Sequence, residues 1–556
     1  MHRRNFLRTA TVAVASGQHL INKAAAAMET AISSPPIQEE HFPSRLYQFV
    51  WRNWELANTE RMASVIRASP QQIVDLGAEM GLPSKPILSD DQLRRIYITV
   101  IRQNWHLLPE WQIIELLGWT PSRFAFTLKE DDFLYVKLGN GKPHCEDLFY
   151  LAPSGPERAK ATKIKQSVKR YFGSVLSQPG KRPFQFVEEL STFSYPLRRD
   201  AMVKPLSAEV NLSHGWHIIT RVDALRDAVA RFDKYLRESM ECHTKDDKTG
   251  HRLEVVTHSL VHGFAIDVQP THIQVAGNTS ASAMQGLYWL RDQMEQRGGP
   301  YLPTGKTIRE VNWNPRFAYS YFALYGDPLM EPDADPFPDA YLDKMASSGI
   351  NGVWIQAVLN ALAPSALFPE FGQGSDIRLK NLHALVERAA RFGIKIYLYL
   401  NEPRAMPASF FASRPQLRGS HYQGLYAICT SVPEVREWIA GTLTHVFQHV
   451  PELGGIFSIS MSENHTNCFS HGGTWGEGAP NAGDCPRCSK RNSWDVIAEL
   501  LTTFQRGIRK ASATAEVISW DWGWGTELVR RTIPLLPKDI RFMSVSEWDA
   551  RVHRGG

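Results

Sequence analysis

This chain of 556 residues lacks a long apolar run, a glycine-rich cofactor motif and a strong net charge. No stretch after residue 27 approaches the roughly 18 consecutive apolar residues of a transmembrane helix, so we expect no membrane span. No Gly-x-Gly-x-x-Gly follows a strand candidate, which argues against a dinucleotide or other organic cofactor. The formal charge is +5. Four cations lie in residues 1–27, leaving about +1 on the rest and no general attraction to nucleic acid.

Aromatic residues are plentiful: the chain holds 16 Trp and 17 Tyr. Flat rings stack on the apolar faces of sugar rings, although packing in a core is the commoner role of a single aromatic residue. Hydrophobic content of 43% and charged content of 21% are typical of a globular protein. The length predicts two or three domains.

The N-terminus pairs Arg3 and Arg4, followed by Asn-Phe-Leu and a weakly apolar stretch over residues 9–17. This resembles a twin-arginine export signal, with cleavage expected within residues 24–27. The resemblance implies a periplasmic or extracellular protein that is exported already folded, with any metal in place. A basic tail without such a role is the alternative.

Residues 28–44 are polar and are predicted to form a linker, and residues 45–204 show mainly helical periodicity. Ser-Pro-Gln-Gln at residues 69–72 is a helix-start signature. The strings at residues 102–109 and 129–134 resemble an N-terminal module of large exported bacterial proteins. That resemblance locates a module and implies no chemistry.

Residues 205–310 predict a small α+β domain. Residues 255–257 and 264–268 alternate as strands, and residues 281–296 form an amphipathic helix that contains Gly-Leu-Tyr-Trp-Leu. The pattern resembles the accessory domain that precedes the barrel in family-twenty hexosaminidases and bacterial α-glucuronidases.

Residues 311–556 alternate strands and helices, which predicts a parallel sheet and an α/β (β/α) TIM-type barrel. The strand candidates are residues 317–324, 352–357, 395–400, 455–460, 516–521 and 541–547. Helices are predicted at residues 341–348, 379–392, 434–449, 494–511 and 527–536. A complete (β/α)8 barrel has more strands than these six. We therefore expect an incomplete barrel, truncated at the C-terminus.

Active sites of such barrels form at the carboxyl ends of the strands. Aromatic and polar residues recur at these ends, which favours a carbohydrate substrate over a phosphate ligand. The predicted substrate-binding residues are Tyr319, Tyr321, Trp354, Asn464, His465, Trp520, Trp522 and Trp548.

Glycoside cleavage needs a protonated acid for the leaving oxygen and a second group that stabilises the oxocarbenium-like transition state. Glu463 is the predicted acid because it directly follows the short apolar strand at residues 455–460. Asp521 and Glu547 are candidates for the second carboxylate. A glutamate at a strand end can also be a solvated loop charge.

Pro315-Arg316-Phe317 before the first strand and the glutamate after the fourth strand resemble family-twenty hexosaminidases. In that family an Asp-Glu pair ends the fourth strand, and the glutamate is the acid. Ser462 stands at the Asp position here, so the resemblance implies the acid role for Glu463 alone. Asn-Glu-Pro around Glu402 resembles the acid motif of clan A glycosidases and supplies a second-ranked candidate.

Cysteines give the sharpest local pattern. Cys468 and His471 precede a glycine-rich stretch, and Cys485 and Cys488 follow it with two residues between them. This spacing favours a structural tetrahedral zinc site made of these four residues. A disulfide in an oxidising compartment is one alternative. The other is that these residues form neither a zinc site nor a disulfide. The remaining Cys145, Cys242 and Cys429 are expected to be isolated and buried.

The sequence thus supports two hypotheses. The first is an exported, hexosaminidase-like glycoside hydrolase with Glu463 as general acid. The second is a non-catalytic glycan-binding protein, or an inactive fragment, on the same scaffold.

Overall fold

A computed structural model of the chain describes the following residues: 36–37, 39–131, 134–139, 141–176, 184–244, 250–259, 262–323, 326–331, 333, 335–422, 424–461, 464–471, 482–544, 547–548 and 551–552. The export signal predicted in residues 1–27 lies outside them, as do Ser462 and Glu463.

The N-terminal part is helical, and we call residues 45–191 the helical module. Its helices are α1 Arg45–Asn53, α2 Thr59–Ile66, α3 Pro70–Glu79, α4 Asp90–Arg95, α5 Tyr97–Asn104, α6 Glu110–Leu117, α7 Pro121–Glu130, α8 Leu134–Lys137, α9 Gly155–Leu176 and α10 Gln185–Ser191. The helix start predicted at residues 69–72 is confirmed, because Ser69 and Gln72 form a reciprocal capping box at the start of α3. The apolar faces of these helices share one core, which includes Phe49, Trp105 and Phe124.

An α/β unit follows. Its strands are β1 Glu209–Asn211, β2 Trp216–Thr220, β3 His251–Thr257, β4 Phe264–Val268, β5 His272–Gly277, β6 Tyr301–Pro303 and β7 Gly305–Arg309. Its helices are α11 Arg226–Ser239 and α12 Ser280–Arg297. The sheet order is β2-β3-β5-β4-β7, with parallel and antiparallel pairs, while β1 pairs with β6. Leu253, Val255 and Val275 pack with Leu287 of α12 in its core.

The C-terminal part contains a parallel sheet of six strands in the order β16-β15-β14-β10-β9-β8. These strands are β8 Phe317–Ala318, β9 Gly352–Gln356, β10 Lys395–Leu400, β14 Gly455–Ile459, β15 Glu516–Trp520 and β16 Ile540–Met543. The helices are α13 Asp339–Ser347, α14 Ser375–Ala390, α15 Pro433–His449, α16 Ser493–Arg509 and α17 Thr526–Thr532. Further strands are β11 Met406–Pro407, β12 Arg418–Tyr422, β13 Leu425–Ile428, β17 Glu547–Trp548 and β18 Arg551–Val552.

Each strand of this sheet pairs with the next along the chain, which is the order of a (β/α) barrel. A doubly wound sheet would reverse direction at a switch point. The partial TIM-like barrel is therefore confirmed. The first strand is shorter than predicted, since Ser320 begins a 3-10 turn: its carbonyl accepts from Ala323 N at 2.9 Å.

The sheet curls, as contacts between strands that are not neighbours show. Phe317 of β8 lies 5.9 Å from Phe457 of β14, ring centre to ring centre. Arg541 of β16, the last strand of this sheet, donates to the carbonyl of Asn314, which lies just before β8, the first strand of the sheet. The helices cover the outer side of the sheet through a large apolar core that includes Ile355.

We number the βα loops by the strand that precedes them: loop one spans residues 319–338, loop two 357–374, loop three 401–432, loop four 460–492 and loop five 521–525. Loop three carries a small antiparallel sheet in the order β11-β13-β12. Within the described part of the chain, no helix combines the length and apolarity that a membrane crossing needs.

Candidate active site at the strand ends

Aromatic rings contact one another from loop one to loop five. Phe457 in the middle is buried, with 3% of its surface exposed, so the aromatic surface consists of Tyr319 and three tryptophans. Tyr319 stacks on Trp354 at 4.5 Å with 17° between the ring planes. Trp354 lies 6.1 Å from Phe457, which lies 5.5 Å from Trp520. Trp520 in turn lies 5.0 Å from Trp522. Half of the surface of Tyr319 is exposed, and the three tryptophans are half-buried. Such rings can stack against a flat apolar ligand face.

Of the predicted acids, Asp521 can be placed at this surface. It follows β15 directly, between Trp520 and Trp522, and its Oδ2 accepts a hydrogen bond from Ser544 Oγ at 2.6 Å. Glu463 lies outside the described residues. Glu547 and Trp548 form β17, but their side chains are not among those described, and the same holds for Tyr321 in the 3-10 turn of loop one.

Glu402 is buried rather than exposed at the rim, with 1% of its surface accessible. Its Oε1 accepts from the backbone N–H of Leu359 at 3.0 Å, and its Oε2 accepts from that of Arg404 at 2.8 Å. Burial raises the pKa of Glu402 to about 7, against the opposing charge of Arg404. This geometry holds loops two and three together, and the role of Glu402 as a second-ranked acid stays a prediction.

His465 is buried, with 5% of its surface exposed, and its role in substrate binding stays a prediction. Its Nε2 lies 2.8 Å from the carbonyl oxygen of Ser420, and its Nδ1 lies 3.0 Å from Ser470 Oγ. Burial lowers the pKa of His465. The ring fastens loop four to β12 of loop three. Asn464 beside it is half-buried.

Four buried cysteines, Cys429, Cys468, Cys485 and Cys488, form a cluster whose sulfur atoms all lie within 4.8 Å of one another. The sulfur of Cys429 is 3.7 Å from that of Cys485 and 3.6 Å from that of Cys488. Thiolates about 2.3 Å from a tetrahedral ion would be about 3.8 Å apart, so the arrangement fits a metal. All six cysteines of the chain are free thiols. We call this group the cysteine cluster.

The surroundings of the cluster suit anionic sulfur. Arg487 Nε donates to the sulfur of Cys429 at 3.3 Å, and the backbone N–H of Cys488 donates to the sulfur of Cys485 at 3.4 Å. Hydrogen bonds from the thiols of Cys468, Cys485 and Cys488 hold the pKa of Cys429 far below its usual range. A thiolate is the form that binds metals.

The ligand set therefore differs from the predicted one at a single position. His471 is not in the cluster, because its ring stacks on Tyr422 of β12 at 3.9 Å and 2°. Cys429, expected to be isolated, takes that place. It follows β13 in loop three, 56 residues before Cys485. Sequence spacing gave no sign of it.

Sequence reasoning also missed Trp524 and Arg404. The Trp524 Nε1–H donates to Ser460 Oγ at 2.9 Å, tying loop five to the end of β14. Arg404 is 8% exposed and faces Glu402 with 3.7 Å between Nε and Oε1. Neither residue belongs to a motif with a recognisable spacing.

The sequence matches no protein-family model and no curated protein. Its fold is similar to that of a GH20 β-N-acetylhexosaminidase from Streptomyces coelicolor A3(2), with 11% identity and a TM-score of 0.38 over 64% of this chain and 69% of that one. A GH20 exo-β-N-acetylglucosaminidase from Vibrio harveyi gives 12% identity and a TM-score of 0.39 over 62% and 55%. A GH138 enzyme targeting pectin rhamnogalacturonan II gives 12% and 0.38 over 59% and 37%.

The chain thus spans 37% of the GH138 enzyme and 55% of the Vibrio harveyi enzyme. These neighbours are glycoside hydrolases, and the likeness describes a glycoside hydrolase-like fold at most. At TM-scores this low it carries no argument about the site residues or the activity.

Proposed function

We propose that the chain is a hexosaminidase-like glycoside hydrolase that acts on a carbohydrate at the strand ends, with Glu463 as general acid. The observation that supports this most directly is the aromatic surface from Tyr319 to Trp522 together with Asp521, which lies between Trp520 and Trp522 in the sequence. Rings bind the apolar faces of a sugar, and a carboxylate stabilises positive charge at its anomeric carbon.

In this proposal Glu463 donates a proton to the glycosidic oxygen as the bond to the anomeric carbon breaks. Asp521 is the second carboxylate, oriented by its hydrogen bond from Ser544. Glu402 remains a positioning residue because both of its oxygens already accept backbone hydrogen bonds.

Glu463→Gln tests the acid role with a pair of N-acetylhexosaminides. We expect about a hundredfold or greater loss of turnover on a substrate with a poor leaving group. The loss should be much smaller on an activated aryl glycoside, whose leaving group needs little protonation. Glu402→Gln is the matched control and should show no such split. Equal losses on both substrates at Glu463, or the split at Glu402, would contradict the assignment.

Glycan binding without turnover is the second candidate, and the same aromatic surface favours it. Trp354→Ala should then weaken glycan binding measured by calorimetry, while no wild-type turnover is detected on any glycoside tried. Turnover that Glu463→Gln abolishes, with binding retained, would exclude this candidate.

We also propose that the cysteine cluster binds Zn²⁺ as a closed, structural site. Four sulfur ligands leave no open position, so the ion would stabilise loops three and four and take no part in the chemistry. Cys429 comes from loop three and the other three ligands from loop four. A bound ion would thus link loop three to loop four, whose sequence contains the proposed acid.

Metal analysis of the purified protein tests this proposal, with about one equivalent of zinc per chain expected. Cys429→Ser should lose most of the metal and lower the melting temperature. Cys145→Ser is the matched control, since Cys145 is also buried and free but lies outside the cluster. A zinc-free protein with a disulfide among the four cysteines, found by mass mapping, would establish the alternative.

A further inference from the structure

Loop one of the barrel is held along its length by the helical module. The backbone N–H of Gly326 donates to Asp131 Oδ1 at 3.0 Å, and Arg123 Nη2 donates to Glu331 Oε2 at 2.8 Å. The Arg95 guanidinium lies 4.2 Å from the ring centre of Phe322. Helix α4, helix α7 and the turn that ends α7 thus contact one loop at the carboxyl end of the sheet.

The same turn reaches loop three. Glu130 Oε2 lies 3.7 Å from Arg404 Nη2, and Arg404 Nε lies 3.7 Å from Glu402 Oε1. Because Glu402 also accepts from Leu359 N, this series of contacts extends to loop two. Two adjacent residues of the module, Glu130 and Asp131, therefore connect to three successive barrel loops.

These side chains are removed from water. Asp131 is 2% exposed and Arg404 is 8% exposed, while the side chain of Glu130 is 11% exposed. A buried carboxylate is tolerated only where donors or cations satisfy it. Asp131 has the Tyr97 hydroxyl and the Gly326 amide. Glu130 has Arg404 and Lys129, the latter at 2.9 Å. The barrel loops thus supply part of what makes the two acids stable in the module.

We propose that the helical module braces the barrel at the carboxyl ends of its strands, and that Glu130 and Asp131 are positioning residues that hold loops one to three in place. The proposal goes beyond the proposed hydrolase activity and does not depend on it. It assigns each acid its own loop: Asp131 holds loop one, and Glu130 holds loop three through Arg404.

Amide hydrogen exchange of the full-length protein tests this assignment. In Asp131→Ala both acceptor oxygens are removed, so neither the Tyr97 hydroxyl nor the Gly326 amide keeps its partner there. We expect exchange in residues 319–338 to rise by about tenfold or more, with little change in residues 401–405. Glu130→Gln should give the reverse pattern. A loss of module stability alone would not produce this split.

Glu79→Ala is the matched control. Glu79 accepts from the Tyr47 hydroxyl, as Asp131 does from Tyr97, but it lies on α3 and contacts α1. It should loosen the module and leave both barrel loops unchanged. Faster exchange confined to the helices in the Asp131 and Glu130 variants would overturn the proposal.

If the buried variants do not fold, Arg123→Gln decides the question, since its ion pair with Glu331 is 36% exposed on each side and is tolerant of change. It should speed exchange in loop one by a smaller factor, and Arg123→Lys should restore the wild-type rate. Unchanged loop-one exchange in Arg123→Gln would overturn the proposal in that case.

Discussion

At the scale of single residues, Glu402 shows how surroundings set the role of a carboxyl group. It follows a barrel strand, as a catalytic acid would, but the fold directs it inward onto the amides of Leu359 and Arg404. Its nearest cation is Arg404 at 3.7 Å, which does not offset the loss of water. The pKa of Glu402 is therefore raised to about 7.

This pKa predicts a pH-dependent stability. An unfolded glutamate has a pKa of about 4.3, so the folded state favours the protonated form. The stabilisation that protonated Glu402 gives the folded state is present below about pH 4 and is lost as the pH rises through about 7. We expect the free energy of unfolding of the wild type, measured with urea, to fall by about 2 kcal/mol more between pH 5 and pH 8 than that of Glu402→Gln.

The amide in Glu402→Gln cannot ionise, although it lacks one of the two acceptors, so this variant should be less stable than the wild type at pH 5. The exposed Glu60 supplies a control, and Glu60→Gln should keep the wild-type slope. Identical slopes for the wild type and Glu402→Gln would show that Glu402 does not titrate in this range.

At the scale of elements, β12 and loop four are in such close contact at Gly419 that there is no room for a side chain there. A Cβ at Gly419 of β12 would lie 2.5 Å from the sulfur of Cys468 and 2.9 Å from the carbonyl of Ala427. His421 N donates to Asp484 Oδ1 at 2.9 Å on the same strand. Glycine at this position lets the strand approach the cysteine cluster.

Gly419→Ala should therefore displace Cys468 and weaken metal binding. We expect a lower zinc content and an unfolding free energy reduced by about 1–3 kcal/mol, in the range for overpacking a core. Gly441→Ala in α15 is the matched control, because a Cβ there meets nothing within 4 Å. That change should be neutral or slightly stabilising, since alanine is the better helix former. Full zinc content in Gly419→Ala would argue against a metal held by Cys468.

At the scale of the whole molecule, apolar side chains gather into separate cores for the helical module, the α/β unit and the barrel, and Phe193 packs against both of the last two. The domain limits at residues 204 and 310 remain predictions. The inner side of the barrel adds a small aromatic cluster around Tyr397, Phe457 and Ile518. The four cysteines come from two loops, so metal binding at the cluster would be coupled to folding of the barrel.

The twin-arginine signal predicted at Arg3 and Arg4 suits a protein that folds before export. Changing both residues to Lys should leave the protein in the cytoplasm, because the export route depends on the arginine pair. Cell fractionation with antibody detection measures this. Arg8→Lys is the control and should be exported normally, and export of the double variant would show that the pair is not the signal.

The sequence alone determined the alternation of strands and helices in the barrel, the helix start at Ser69 and the close spacing of Cys485 and Cys488 that suggested a metal site. These follow from side chains a few residues apart, whose period and capping chemistry act locally. Tertiary structure decided that Cys429 completes the cluster, that Glu402 is buried, and that Asp131 meets Gly326 across 195 positions. Such contacts depend on which distant surfaces pack together, and no local period encodes that.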